Sequence, residues 1–350
     1  MTATAPRADA LRRFAESSLA TTGVEIEPAS ADASFRSYCR VSGPFGTRVV
    51  MDAPPDKENI EPWLAIGARL RSAGLHAPEV FAVDRNEGFV LMEDLGARLY
   101  LPELNAQSVD ALYADALDAL LRMQTHVDPS GLPHFDEAFV TMELELMPEW
   151  FLKRHLGHAI ECDDWDVIEL AFRALINEVR AQPQAFMHRD YHSRNLLVMP
   201  HTATQAGAML DSPGIVDFQG AMNGPIAYDL ASLLRDCYIA WEAERVEGWL
   251  AAYGQRLRHV HLIDSHVDDA RLRRWFDLAG LQRHIKVLGI FCRLWYRDGK
   301  RHYLADLPLT WRYVIAVARR YPETAALADL LERALGDRDI TAPRDEATAA

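Results

Sequence analysis

The stretch that decides the fold is His188–Leu197, which reads HRDYHSRNLL. A polar insert separates it from the apolar run Gly214–Val216, which is followed by Asp217 in the triplet DFQ. Phosphoryl transfer requires a carboxylate that orients the attacking hydroxyl and accepts its proton, together with oxygen ligands for a magnesium ion. We therefore expect Asp190 to be the catalytic carboxylate, and Asn195 and Asp217 to be the ligands of Mg²⁺.

These motifs resemble two parts of protein kinases. An asparagine five residues after the aspartate of HRD resembles the kinase catalytic loop, and DFQ resembles the triplet Asp-Phe-Gly. In this interpretation His188 is a buried brace of the loop. An alternative is that His188, Asp190 and His192 bind a catalytic metal, but this hypothesis leaves Asn195 and Asp217 without a role.

The composition limits the possible partners. The chain has 350 residues, of which 49% are hydrophobic, and no run approaches a membrane span of ~20 apolar residues. Its formal net charge of −14 argues against nucleic-acid or anionic-membrane partners, although not against a small anionic substrate. The four cysteines lack paired spacing and the N-terminus lacks a secretion-signal pattern, which predicts a cytoplasmic protein. No feature indicates an obligate protein partner.

The order of the predicted elements indicates an α+β, two-lobe fold similar to that of protein kinases. A small antiparallel β-sheet lobe that binds nucleotide is predicted at residues 1–95, from one helix at about 60–73 and from short strands at 24–26, 35–41, 48–51, 79–83 and 88–92. Helical periodicity, including that over 137–156 and 226–241, predicts a larger, mainly helical lobe at 96–335, which carries the catalytic loop and the acceptor site. Residues 200–213 are predicted to be a long hairpin loop, and the polar tail 336–350 to be disordered.

A run of small residues between the first two predicted strands suggests a phosphate-binding loop, although it contains no glycine. Backbone N–H groups can approach a triphosphate closely where side chains are small, so we place Ser34, Phe35 and Arg36 at the nucleotide. Main-chain groups of Glu93 and Leu95, at the predicted lobe junction, are expected to hold adenine.

The third predicted strand departs from the kinase pattern. Residues 48–55 read RVVMDAPP, without the lysine that protein kinases place there. Arg36, Arg40 and Lys57 all remain open as replacements. The missing lysine also leaves open a pseudokinase that binds nucleotide without turnover.

Six segments resemble one family of small-molecule kinases. His188–Leu197, Val216–Gln219 and Pro225–Leu234 resemble the aminoglycoside-phosphotransferase superfamily. More narrowly, Asp32–Arg36, Met51–Pro55 and a long predicted helix at Tyr228–Tyr238 resemble the anomeric N-acetylmuramate/N-acetylglucosamine kinases of bacterial cell-wall recycling. The resemblance implies phosphorylation of the C1 hydroxyl of a small amino sugar, with ATP and Mg²⁺ as cofactors.

The remaining candidate residues concern the support of the loop and the acceptor. An aspartate at the position of Asp229 accepts hydrogen bonds from catalytic-loop amides in the kinase-like fold, so Asp229 is expected to be structural. Arg293 could pair with a lactyl carboxylate, and Trp295 could stack on a sugar ring. Glu143 would suit a cationic acceptor instead, so aminoglycoside-, choline- and amino-alcohol-type kinases stay open as alternatives.

Overall fold

The computed structural model describes residues 5–31, 35–200 and 212–344. The described chain divides into two compact units. Unit 1 comprises residues 1–119 and 194–220, and unit 2 comprises residues 120–193 and 221–350. The sequence-based boundary at residue 95 stays a prediction.

Unit 1 is built on an antiparallel sheet. Its described residues form five strands in the spatial order β1-β2-β3-β5-β4. The strands are β1 (Glu25–Ala31), β2 (Ser37–Gly43), β3 (Gly46–Asp52), β4 (Val80–Asp84) and β5 (Phe89–Glu93). Each strand lies within a few residues of a predicted strand. This agreement is expected, because strand ends are set by local signals, namely the alternation of side chains and the turn residues.

Helices and a small hairpin complete unit 1. The helices are α1 (Ala5–Ser18), α2 (Glu61–Ser72), α3 (Tyr100–Glu103) and α4 (Val109–His126), which continues into unit 2. Leu11 of α1 is buried in one cluster with Val41, Val50 and Phe89 of the sheet. Burial of such a side chain contributes about 1.5–3 kcal/mol. The hairpin pairs Leu196–Leu197 with Gly214–Ile215, and most of its predicted loop lies outside the described residues.

Unit 2 is mainly helical. Its helices are α5 (Glu137–Leu144), a π-helix (Met147–Leu156), α6 (Cys162–Arg180), α7 (Ala227–Leu234), α8 (Ala243–His259), α9 (Asp269–Tyr296), a 3₁₀-helix (Arg301–Asp306), α10 (Leu307–Ala318) and α11 (Pro322–Leu335). The long helix α9 packs against the π-helix and against α6, α7 and α10. Gly289 permits one close crossing, because a Cβ there would lie 2.4 Å from the carbonyl of Leu146. Two short strands, at 184–187 and 222–225, pair beside these helices.

One helix prediction was too long, and a second helix is divided by a change of helix type. The prediction over 226–241 rests on apolar residues at helical spacing, yet α7 ends at Leu234, where Arg235 leaves helical geometry at φ −124° and ψ 57°. The carbonyl of Arg235 instead accepts a hydrogen bond from His284 Nε2 at 2.9 Å. The predicted helix 137–156 is divided into α5 and the π-helix, whose second residue is Pro148. Proline has no N–H to donate into the preceding turn, which accounts for the break.

The C-terminal segment was expected to be disordered, but residues up to Arg344 make defined contacts. His155 Nε2 lies 2.8 Å from the carbonyl of Ile340, and the N–H of Arg344 donates to the Tyr296 hydroxyl at 2.8 Å. Ile340 is buried. Residues 345–350 lie outside the described part of the chain. Within that described part, no helix is long and apolar enough to cross a membrane.

Candidate active site

The catalytic loop begins in unit 2, directly after the strand 184–187, and a buried carboxylate braces it. Asp229, in the first turn of α7, accepts the N–H of His188 at 2.6 Å and the N–H of Arg189 at 3.0 Å. Arg189 has a left-handed backbone with φ 76°, a conformation that costs free energy unless its surroundings hold it. Burial raises the pKa of Asp229 to about 7, against the lowering effect of the two N–H groups.

His188 lies where a brace was predicted. Its side chain is fully buried, and its Nδ1 accepts the N–H of Asp190 at 3.3 Å. The ring also packs edge-on against Tyr191, with centroids 5.7 Å apart. Within the described residues, no three histidine, cysteine or acidic side chains come together as metal ligands.

A second buried carboxylate holds the far end of the loop in unit 2. Asp236 Oδ2 accepts both the N–H of Ser193 at 3.0 Å and its hydroxyl at 2.5 Å. Asp236 Oδ1 accepts the N–H of Tyr238 at 3.1 Å. Sequence reasoning missed Asp236, because the predicted helix ran through it.

Asp190 is surrounded by cations. It is half-buried and lines a cavity of about 390 Å³ within unit 2. Burial raises the pKa of Asp190, but the charges of Lys286, His192 and Arg189 outweigh burial and leave the pKa below its ordinary value. Asp190 is therefore a carboxylate at neutral pH.

The predicted magnesium ligands are neighbours in unit 1. Asn195 Nδ2 donates to Asp217 Oδ2 at 3.3 Å, and Gln219 Nε2 donates to Asp217 Oδ1 at 2.7 Å. Asp217 has a left-handed backbone, with φ 63°. The next side chain, Phe218, is buried against Trp63 with ring centroids 5.2 Å apart. A carboxylate beside an amide is a hard oxygen donor set of the kind that Mg²⁺ prefers, so these residues fit the ion.

The candidates for the missing lysine have different partners in unit 1. Arg40 forms a two-pronged pair with Asp94, at 2.7 and 3.0 Å, and Lys57 Nζ lies 5.3 Å from the centre of the Phe35 ring. The buried Arg36 has its Nη2 3.7 Å from Asp217 Oδ1. Of the three candidates, Arg36 is therefore the cation beside a predicted magnesium ligand.

The other predicted nucleotide residues are only partly described. Ser34 lies outside the described residues. Phe35 is exposed, and its N–H donates to Glu58 Oε1 at 3.1 Å. The N–H of Glu93 already donates to the carbonyl of Glu79 at 2.8 Å, which leaves that N–H engaged within the sheet. Leu95 is nearly buried.

The acceptor candidates fall into two groups. Arg293 and Glu143 line the cavity that contains Asp190, whereas Trp295 is absent from its described wall. Successive residues of an α-helix are rotated by about 100° about its axis, so residues 293 and 295 face different sides of α9. Trp295 instead packs at the margin of the hydrophobic core, with the guanidinium of Arg301 5.9 Å from its ring centre.

Glu143 is not available to a cationic acceptor. It is 3% exposed, and its Oε1 lies 2.8 Å from both Lys286 Nζ and Arg189 Nη2. Gln282 donates to its Oε2 at 3.2 Å. Burial raises the pKa of Glu143, but Lys286 and Arg189 outweigh this effect and keep the carboxylate ionised.

Sequence reasoning missed most of the cavity wall. Its further basic residues and tyrosines are Arg189, His192, Tyr238, Arg283, Lys286 and Tyr303. One available signal was the sequence Arg283-His284-Ile285-Lys286, which places charges in the middle of the 28-residue helix α9, where its residues are buried. Charged residues inside a core are paired or serve a ligand.

Known proteins resemble this sequence over most of its length. The profile described as "Phosphotransferase enzyme family" (APH) matches residues 25–275. A Pseudomonas putida protein named N-acetylmuramate/N-acetylglucosamine kinase is 41% identical over 306 residues, which is 87% of this chain and 87% of that protein. A Pseudomonas aeruginosa protein of the same name is 40% identical over 310 residues, which is 88% of each chain.

A solved structure shares the fold. It is the ADP-bound aminoglycoside phosphotransferase APH(2″)-Ib, with a TM-score of 0.58 at 14% identity. The match covers 93% of this chain and 99% of that one. The predicted α+β, protein-kinase-like fold is therefore confirmed.

Proposed function

This chain belongs to the phosphotransferase enzyme family, and we propose that it is an ATP-dependent sugar kinase that phosphorylates the anomeric C1 hydroxyl of N-acetylmuramate, N-acetylglucosamine or both. The main support is its identity of about 40%, over most of the chain, with relatives named N-acetylmuramate/N-acetylglucosamine kinase. The cationic cavity around Asp190 adds support, because N-acetylmuramate carries a carboxylate. The product would be a sugar 1-phosphate in the recycling of peptidoglycan.

Asp190 is the proposed catalytic carboxylate. The C1 hydroxyl oxygen forms a bond to the γ-phosphorus while its proton passes to Asp190, and the bond from that phosphorus to the β–γ bridging oxygen breaks to release ADP. An anomeric hydroxyl is more acidic than an ordinary alcohol, so a base of lowered pKa is sufficient. The contribution of Asp190 is mainly to orient the hydroxyl.

The nucleotide is proposed to contact unit 1. Asn195 and Asp217 would hold Mg²⁺, which supplies positive charge to the phosphates. Arg36 is the proposed replacement for the missing lysine, because it already lies beside Asp217. The loop that contains Ser34 and Phe35 is proposed to cover the phosphates with its N–H groups, and the segment of Glu93 and Leu95 to hold adenine. The Glu93 N–H is already engaged, so it is not one of the groups proposed to hold the base.

The test is a screen for ATP consumption with free sugars, aminoglycosides, choline and ethanolamine as acceptors. We expect turnover with N-acetylmuramate or N-acetylglucosamine. We expect none with the cationic acceptors, because the Glu143 carboxylate is already paired with Lys286 and Arg189. Turnover with a cationic acceptor alone would contradict the proposal. Nucleotide binding without turnover on any acceptor would favour the pseudokinase.

A further inference from the structure

A buried arginine in the cavity wall donates to a thiol rather than to a carboxylate. Arg283, in α9, is 4% exposed and lines the same cavity as Asp190. Its Nη1 donates to Cys237 Sγ at 3.1 Å. Within the ranges that the structure describes, no carboxylate oxygen lies at ion-pair distance from Arg283. Burial lowers its pKa, and the charges of Asp236 and Asp190 act on it from further away and raise the pKa.

The other buried cations of unit 2 are arranged differently. Arg235 pairs with Asp277 at 2.7 Å, and Lys286 pairs with Glu143 at 2.8 Å. A buried charge without a partner is costly, so such pairing is the general rule. Arg283 departs from this rule.

Cys237 does not neutralise Arg283. Burial raises the pKa of the Cys237 thiol, so at neutral pH this group is an uncharged and weak acceptor. A guanidinium has five N–H donors in a planar fork that matches a carboxylate or a phosphate. The position of the Arg283 guanidinium is thus fixed by the protein, but the protein supplies only a weak acceptor for its N–H groups.

We propose that Arg283 binds an oxyanion that the substrates bring into the cavity. This inference rests on the proposed function, which supplies two sources of the same chemistry. One source is the carboxylate of N-acetylmuramate, and the other is the phosphoryl group that is transferred near Asp190.

The experiment compares Arg283→Met and Arg283→Lys with the wild type, using N-acetylmuramate and the neutral N-acetylglucosamine as acceptors. Loss of a charge-assisted hydrogen bond predicts a fall in kcat/KM of about 10- to 100-fold for the Met variant. A loss confined to N-acetylmuramate assigns Arg283 to the carboxylate, and an equal loss of kcat on both sugars assigns it to the phosphoryl group. The Lys variant should be intermediate, because it keeps the charge without the fork.

Two controls separate binding from folding. Arg297→Met removes an exposed arginine that pairs with Asp298, and it should leave both activities unchanged. Thermal unfolding without ligand should give Arg283→Met a melting temperature close to that of the wild type. A folded Met variant with wild-type kcat/KM on both sugars overturns the inference. So does an unstable Met variant accompanied by a Lys variant with wild-type kinetics.

The result also separates this inference from the proposed function. A wild-type protein that phosphorylates neither sugar refutes the proposed function. An active wild type whose Arg283 variants are equally active refutes the role of Arg283 alone.

Discussion

Replacement of Asp229 by asparagine tests how the catalytic loop is held. The wild-type carboxylate accepts the N–H of His188 at 2.6 Å and that of Arg189 at 3.0 Å, one on each oxygen. Asparagine has the same shape but keeps one acceptor, so its NH₂ group would face one backbone N–H. The next residue in the loop is Asp190, and the loop conformation includes the left-handed Arg189.

The size of the effect follows from these two bonds. A hydrogen bond to a charged group contributes about 1.5–3 kcal/mol, and a buried donor left unsatisfied costs a further 1–3 kcal/mol or so. A loss of about 3 kcal/mol in the competent loop conformation corresponds to a fall in kcat of about 100-fold. The KM for ATP should change little, because the proposed nucleotide residues belong to unit 1.

The pH dependence of stability gives a second readout. The folded pKa of Asp229 is raised to about 7, so its contribution to the free energy of unfolding is complete below about pH 4 and is lost as the pH rises through about 7. Asparagine does not titrate. The free energy of unfolding of the wild type, minus that of the variant, should therefore fall by about 4 kcal/mol as the pH rises from about 4 to above 7.

Steady-state kinetics at about pH 8 measure the fall in kcat. Urea titrations at several pH values measure how the stability difference changes with pH. Asp163→Asn is the matched control, because Asp163 is exposed in the first turn of α6. Wild-type kcat in the Asp229 variant, or a stability difference that does not change with pH, would refute this reasoning.

Three further substitutions are predicted together. Asp190→Ala should lower kcat by about 10²-fold or more with little change in ATP affinity, and turnover near that of the wild type would exclude Asp190 as the base. Asp217→Asn should weaken nucleotide binding only when Mg²⁺ is present, so calorimetric titrations with and without the ion should converge; an equal loss without Mg²⁺ would contradict the assignment. His155→Phe should lower the free energy of unfolding by about 1–3 kcal/mol, because the buried carbonyl of Ile340 loses its donor. An unchanged urea midpoint would show that this contact of the C-terminal segment is not stabilising.

The fold and the catalytic loop could be predicted because their signals are local. The strands of unit 1 are marked by alternating apolar residues and by the turn residues between them. Both signals lie within about ten residues of sequence. The same holds for Asn195, which follows Asp190 at a fixed offset on one loop. Asp217 directly follows a strand, so its position was also readable.

Features that depend on distant packing could not be predicted. The contact between His155 and Ile340 joins residues 185 positions apart, so the composition of the tail alone suggested disorder. The partners of Glu143 come from two other segments, and only the folded unit shows that Lys286 and Arg189 satisfy it. For Trp295, the sequence places an aromatic residue among cations, but it does not show that this side chain faces away from the cavity wall.

Identification of the reaction product tests the central claim most directly. The purified protein is incubated with ATP, Mg²⁺ and N-acetylmuramate, and in parallel with N-acetylglucosamine, and the products are analysed by ³¹P and ¹H NMR. The account predicts a sugar phosphate in which the phosphorus is coupled to the anomeric proton H1, together with one ADP per product. Phosphate on any other hydroxyl, or ADP without a phosphorylated sugar, would contradict it.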